Sequence, residues 1–174
     1  MRTLEPIAKF DFVLSSFCLR HRFNQQFASI SKAISHTGDG HLYVMMAVLA
    51  SLLDKAHGPL FFATALLAFA IELPSYVLIK KVFKRRRPGQ LSSLLPAFIT
   101  PADQYSLPSG HTAAAFVMAT VMGHFYPELF VFSVIWAACI GVSRILLGVH
   151  FFSDILFGVG LGVACGLLSI AVLG

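Results

Sequence analysis

Charge is scarce in this sequence. Only 12% of the 174 residues are Asp, Glu, Lys or Arg, whereas 57% are hydrophobic. Soluble domains carry about a quarter charged residues, so this balance, with a mean hydropathy of +0.79, excludes a soluble globular domain and predicts an integral membrane protein. No nucleic-acid partner is expected. The acidic residues number eight and are dispersed, too few and too scattered for a metal cage, so neither a metal site nor a cofactor is expected. The three cysteines, Cys18, Cys139 and Cys165, show no metal-ligand spacing and no disulfide framework, and read as packing residues. Near the start, Arg2, Glu5, Lys9 and Asp11 interrupt any long apolar core, so no cleavable signal peptide is expected and insertion would rely on the spans themselves. Internal repeats and domain boundaries are also missing. The chain therefore reads as one membrane-embedded domain over 1–174, with interfacial helices over 1–36 and a transmembrane core over 42–174.

The apolar residues that are present fall into runs. From Met1 to about Ser35, Phe10, Phe12, Phe17, Phe23 and Phe27 alternate with Lys9, Arg20, Arg22 and Lys32, a pattern that predicts one or two amphipathic helices at the membrane interface. Five apolar spans follow: Leu42 to Leu53, Leu60 to Ile79, Ser109 to about Phe125, Leu129 to Leu147, and Phe151 to Leu173. The expected fold class is all-α, a polytopic membrane helix bundle of about five transmembrane helices. In the last span Gly158, Gly160, Gly162 and Gly166 offer close helix packing. Glu72, inside the second span, is expensive in a membrane and should face inward, either towards the basic cluster after it or in a structural hydrogen bond beside Pro74.

Five alternating spans bring four helix ends to one side, carrying Lys80 and Arg87, then Ser109 to His111, then Arg144, then His150 and Asp154. Three cations can neutralise and orient a phosphate through charge-assisted hydrogen bonds. Pro108-Ser109-Gly110-His111 reads as a helix start, with Ser109 as N-cap and Gly110 allowing close approach of a ligand to free backbone N–H groups. His150 and Asp154, four apart, should share a helical face, the carboxylate accepting from one ring nitrogen and leaving the other as a lone pair. His111 supplies a second imidazole, suited to protonate a leaving group. Gly38-Asp39-Gly40 lies on the same side, where Asp39 reads as a helix cap, with contact to a lipid head group as the alternative.

Lys80, six residues, Arg87-Pro88; Pro108-Ser109-Gly110-His111; and Ser143-Arg144, five residues, His150, three residues, Asp154 together resemble the three-part signature of the type 2 phosphatidic acid phosphatase superfamily. The resemblance covers roughly residues 80 to 154. It implies a nucleophile at His150 that forms a phosphohistidine, Asp154 orienting it, His111 as general acid, and Lys80, Arg87, Ser109, Gly110 and Arg144 holding phosphate without a metal ion. A site at the ends of membrane spans suits a lipid phosphate with its chains in the bilayer: phosphatidate, phosphatidylglycerol phosphate, or a polyprenyl mono- or diphosphate. A phosphotransferase using the same histidine, or a non-enzymatic anion or lipid carrier, are the alternatives. Membrane members of the superfamily commonly have six spans, so the N-terminal segment or a second subunit would complete the bundle, and a homo-oligomer stays open. The expected location is a bacterial inner membrane. Apart from Lys55 every Lys and Arg falls on the site side, which by the positive-inside rule is cytoplasmic; the resemblance points instead to the periplasm or lumen.

Overall fold

The computed structural model describes residues 5–19, 24–92, 95–101 and 103–174, and among them all regular structure is helical. Arg20, Arg22 and Phe23, used in the amphipathic reading, and Arg2, used against a signal peptide, lie outside the described residues. The helices are α1 (Glu5–Leu19), α2 (Asn24–His36), α3 (His41–Leu53), α4 (Gly58–Phe83), the short α5 (Pro88–Leu91), α6 (Gly110–Phe125), α7 (Phe130–Leu146) and α8 (Phe152–Leu173). Each of the five expected spans coincides with a helix. Three stretches, Gly58–Leu91, Pro127–Leu146 and Phe152–Leu173, are long and apolar enough to cross a membrane. The other two helices are shorter. At 1.5 Å per residue, the 13 residues of α3 and 16 of α6 reach roughly 20 and 24 Å, less than a hydrocarbon core of about 30 Å.

Local chemistry sets the ends of these helices. Pro59 stands in the first turn of α4, where its missing N–H costs nothing. The same helix runs through Pro74 and stops at Lys84, whose left-handed backbone (φ 46°) turns the chain. Tyr126 and Pro127 end α6 and open a single 3₁₀ turn into α7.

At the centre, α6 packs against α4, α7 and α8. Its buried residues are mostly small: Thr112, Ala113, Ala115, Val117, Ala119 and Val121. Lipid offers no hydrophobic drive between helices, so close backbone approach through small residues is what holds such a pair. Gly158, Gly162 and Gly166 of α8 supply that approach. A Cβ at Gly158 would sit 2.7 Å from the Ser109 carbonyl oxygen, and one at Gly166 would sit 2.8 Å from Thr120 Cβ. Gly160, expected in the same stripe, faces away with nothing within 4 Å.

The first helix is polar inside and apolar outside. Asp11, Ser15 and Leu19, four apart, are buried, while Phe10, Phe12, Val13 and Phe17 are exposed. Its inner face docks on α7 and α8, and the aromatic face is the one left for lipid. The second helix lies along α7 with Ala28, Ser31 and Ser35 turned inward. The N-terminal segment is thus packed on the bundle.

Candidate active site

Two backbone contacts tie the three sequence motifs together. Arg87 Nη1 donates to the Val149 carbonyl at 2.6 Å, and the Ser109 N–H donates to the Asp154 carbonyl at 3.1 Å. The segment from Val149 to Asp154 is therefore held by the start of α5 on one side and by the start of α6 on the other.

His150 is not on a helix. It stands in the turn between α7 and α8, just after Gly148, whose φ of 71° is open to glycine and strained for other residues. The shared helical face expected for His150 and Asp154 is therefore corrected: the first turn of α8 brings them together instead. Asp154 Oδ2 accepts from the Phe151 N–H at 2.8 Å, and His150 Nδ1 lies 3.6 Å from that same oxygen. This is an ion-pair distance, too long for a hydrogen bond, and Nδ1 has no other partner. Burial, with Arg87 and Arg144 nearby, outweighs the pull of Asp154 and lowers the His150 pKa to about 4. The ring is neutral at pH 7 and keeps a lone pair.

Asp154 is fixed by residues that the motifs do not contain. Its Oδ1 accepts from Arg85 Nη1 at 2.7 Å, and Arg85 Nη2 reaches Asp11 Oδ2 at 2.6 Å. Asp11 also accepts from the Ser153 N–H at 3.0 Å and the Ser153 hydroxyl at 2.5 Å. Arg85 counted only as part of a basic run in the sequence, and Asp11 as an interruption. The only signal in the sequence was a carboxylate amid aromatic residues in a chain this apolar, and its full burial appears only in the structure.

Lys80 and Arg87, both buried, converge on Asp103. Its Oδ1 accepts from Lys80 Nζ at 2.9 Å and from Arg87 Nη2, and its Oδ2 from the Tyr76 hydroxyl at 2.5 Å. Both cations also donate to the Tyr105 carbonyl, at 2.5 and 3.0 Å. Burial alone would raise the Asp103 pKa, but the Tyr76 and Lys80 hydrogen bonds and the charges of Lys80 and Arg87 outweigh it and hold it down to about 2. An anion already lies between the two expected phosphate ligands. No sequence motif pointed to Asp103, which sits in the Pro-rich loop.

Ser109 takes the N-cap position of α6, but its side chain makes no cap hydrogen bond; its Oγ accepts instead from Thr112 Oγ1 at 2.9 Å. Gly110 is packed tightly, since a Cβ there would meet the Tyr76 ring at 2.8 Å. The cap expected at Asp39 is corrected as well. Gly40 holds the N-cap position of α3 without a side-chain cap, and Asp39 bridges two imidazoles, His111 Nε2 at 2.7 Å and His36 Nδ1 at 2.6 Å. Those bonds outweigh its partial burial and lower its pKa. Arg144 is buried, donates through Nη1 to Ser35 Oγ at 2.7 Å, and leaves Nε without a partner. It lies close enough to act electrostatically on both His111 and His150. Ser35 and His36 place α2 in the site, although the N-terminal third carried no recognisable motif. Glu72 is absent from this cluster. It is buried in α4 with Oε1 unpartnered and makes no ion pair among the described residues, so its expected reach towards the basic cluster is corrected.

A sequence model of the PAP2 superfamily matches residues 56–174. The chain belongs to the PAP2 superfamily. The match takes in all five helices of the core except α3. Among curated PAP2 relatives, decaprenylphosphoryl-5-phosphoribose phosphatase of Mycobacterium tuberculosis, from strains CDC 1551 and H37Rv, is 39% identical over 97 residues, 52% of this chain and 49% of the relative. The chain spans about half the length of these curated relatives. Aquifex aeolicus LpxE superposes with a TM-score of 0.78 at 27% identity, covering 92% of each chain. The transmembrane PAP2 type phosphatidylglycerolphosphate phosphatase from Bacillus subtilis superposes with a TM-score of 0.77 at 23% identity, covering 97% of this chain and 86% of that one, a likeness of fold. With such neighbours and three apolar helices, this PAP2 chain is a membrane protein.

Proposed function

We propose that this PAP2 chain, folded as one membrane-embedded domain, is a lipid phosphatase that cleaves a phosphate ester or diphosphate of a membrane lipid. The substrate class is supported by the curated relative, whose name carries a lipid-linked phosphate, and by a polar site built at helix ends of a lipid-embedded bundle. What supports the reading most is the stitching of the three motifs through Arg87 to Val149 and Ser109 to Asp154.

In the proposed reaction, Lys80, Arg87, Arg144, the Ser109 hydroxyl and the Gly110 N–H hold the phosphoryl oxygens as charge develops on them. The His150 nitrogen turned away from Asp154 attacks phosphorus, and the bond from phosphorus to the leaving oxygen breaks. That oxygen takes a proton from His111, through the ring nitrogen not engaged by Asp39. Water then attacks the phosphohistidine and gives a proton to His111, and phosphate departs with His150 restored. Splitting the hydrolysis lowers each barrier, and none of these steps uses a metal ion. By the positive-inside rule the site end faces the cytoplasm, and a tag at Gly174 reachable only from the opposite side would support five crossings with this orientation.

The test is release of phosphate from a panel of lipid phosphates in detergent with chelator present. Activity in chelator that disappears in His150→Ala, with 32P from labelled substrate trapped on the wild-type chain by an alkaline denaturing quench, which preserves the acid-labile N–P bond, is the expected result. Release that requires an added acceptor lipid would favour a phosphotransferase, and lipid movement unaffected by His150→Ala would favour a carrier.

A further inference from the structure

Beside the motif residues lies a cavity of about 300 Å³ whose walls include Lys32 and His36 of α2, Asp39, Thr100, His111 and Arg144. His150, Lys80 and Arg87 do not line it. On the proposed reaction, with His150 as nucleophile, the leaving group departs on the opposite side and takes its proton from His111. His111 and Arg144 therefore form the edge shared between the phosphoryl site and this cavity, and the cavity is where the leaving group lies.

Its charges are unevenly committed. Asp39 is already held between His111 and His36. Arg144, 5% exposed, donates through Nη1 to Ser35 and has Nε without a partner. Lys32 is exposed and makes no ion pair among the described residues. The wall thus offers one buried guanidinium with a spare donor and one uncommitted ammonium. A neutral leaving group such as diacylglycerol would leave the buried guanidinium nitrogen unsatisfied, whereas an anionic one would pair with it and with the ammonium.

We infer that this cavity is a second anion subsite, in which Lys32 and Arg144 hold a further phosphate carried by the leaving group, making substrates with two phosphates the preferred class. The inference rests on the proposed phosphatase reading, because that reading sets which side is the leaving side. The second phosphate has two sources: directly bonded, as in a lipid diphosphate, or separated by a short polyol or sugar. Lys32 is the specificity-determining residue of the pair, since it lies outside the phosphoryl site.

The experiment compares matched lipids on the full chain in detergent: farnesyl phosphate against farnesyl diphosphate, and phosphatidate against phosphatidylglycerol phosphate. Wild type should prefer the two-phosphate member of at least one pair, and the pair showing it identifies the source. Lys32→Gln should lower kcat/KM for that member about tenfold, the value of one charge-assisted contact, and change the single-phosphate member less than twofold; Lys32→Arg should restore the preference. Equal losses on both members, or no preference in wild type, would overturn the subsite. Calorimetric binding of the same four lipids to His150→Ala separates the two readings. A Lys32-dependent preference in binding without hydrolysis by wild type would sustain the subsite and sink the phosphatase, whereas hydrolysis without any preference would do the reverse.

Discussion

Replacing Gly158 with alanine tests whether the contact between α6 and α8 sets the geometry of the site. The added Cβ would sit 2.7 Å from the Ser109 carbonyl oxygen and 3.1 Å from Thr112 Cβ, where ordinary contact begins at 3.4 Å. The nearest obstacle is backbone, which cannot rotate aside, so the two helices must part by about 0.7 Å to restore contact. Overpacking of this kind costs about 1–3 kcal/mol. The displaced atoms belong to the residue whose N–H binds the Asp154 carbonyl at 3.1 Å, so the shift is delivered to the phosphoryl site. A misplacement near 1 Å costs up to about a hundredfold in rate, and kcat/KM should fall between about tenfold and a hundredfold. Gly160→Ala is the control, since nothing lies within 4 Å of its Cβ. Thermal unfolding in detergent and phosphate release on the same preparations read both quantities. If Gly158→Ala matches Gly160→Ala in melting temperature and in rate, the close approach does not govern the site.

Asp103→Asn should remove an internal competitor for the Lys80 and Arg87 pair. Holding a carboxyl at about 2 instead of 3.8 corresponds to about 2.5 kcal/mol. With 36% of the side chain exposed, screening leaves about 1 kcal/mol, so inhibition by inorganic phosphate should tighten about fivefold; weaker inhibition would show that Asp103 organises the cations. The pH dependence of stability should carry the mark of His150. Its folded pKa of about 4 lies below the ordinary 6.5, so between these values the folded chain binds fewer protons than the unfolded one. The stability is complete above about pH 6.5 and is lost as pH falls towards 4, and a melting temperature scan of His150→Gln should show a shallower acid slope. The acid limb of kcat/KM should likewise lie nearer 4 than 6.5. Asp39→Asn removes the charge that holds His111, and kcat should drop about tenfold with KM little changed; an unchanged kcat would remove Asp39 from the reaction.

The helices were legible because the apolar runs are long and their ends are marked by Gly58-Pro59, Pro108-Ser109 and Pro127. The cations and imidazoles were legible through spacing alone, because helix ends that alternate across a membrane must regroup. Apart from Asp154, the carboxylate pairings were not. Asp103 pairs with Arg87 and Lys80, 16 and 23 residues away, Asp39 with His111 at 72, and Asp11 with Arg85 and Ser153 at 74 and 142, separations that no periodicity encodes. Asp39 looked like a cap since its neighbours are glycines, yet Gly40 at φ 93° takes that position and frees the carboxylate for His111. The inward polar stripe of α1 was hidden for a related reason: the pattern of aromatics marks the outward face, and only the burial of Asp11 reveals the inward one. Reach towards Arg87 could not be judged for Glu72 from sequence, because a helix fixes which side a residue faces and not what stands opposite.

The clasp of Asp11 on Arg85 and Ser153 has a bearing on biogenesis. Residue 11 is translated well before residue 153, so during synthesis its carboxylate has to wait for the final helix to arrive, and a contact this distant along the chain forms late. The same arginine steadies the carboxylate beside His150, the proposed nucleophile. A nascent chain that has not yet added α8 therefore has the proposed catalytic centre incomplete, and on that reading reactivity towards surrounding lipid waits for α8 to dock.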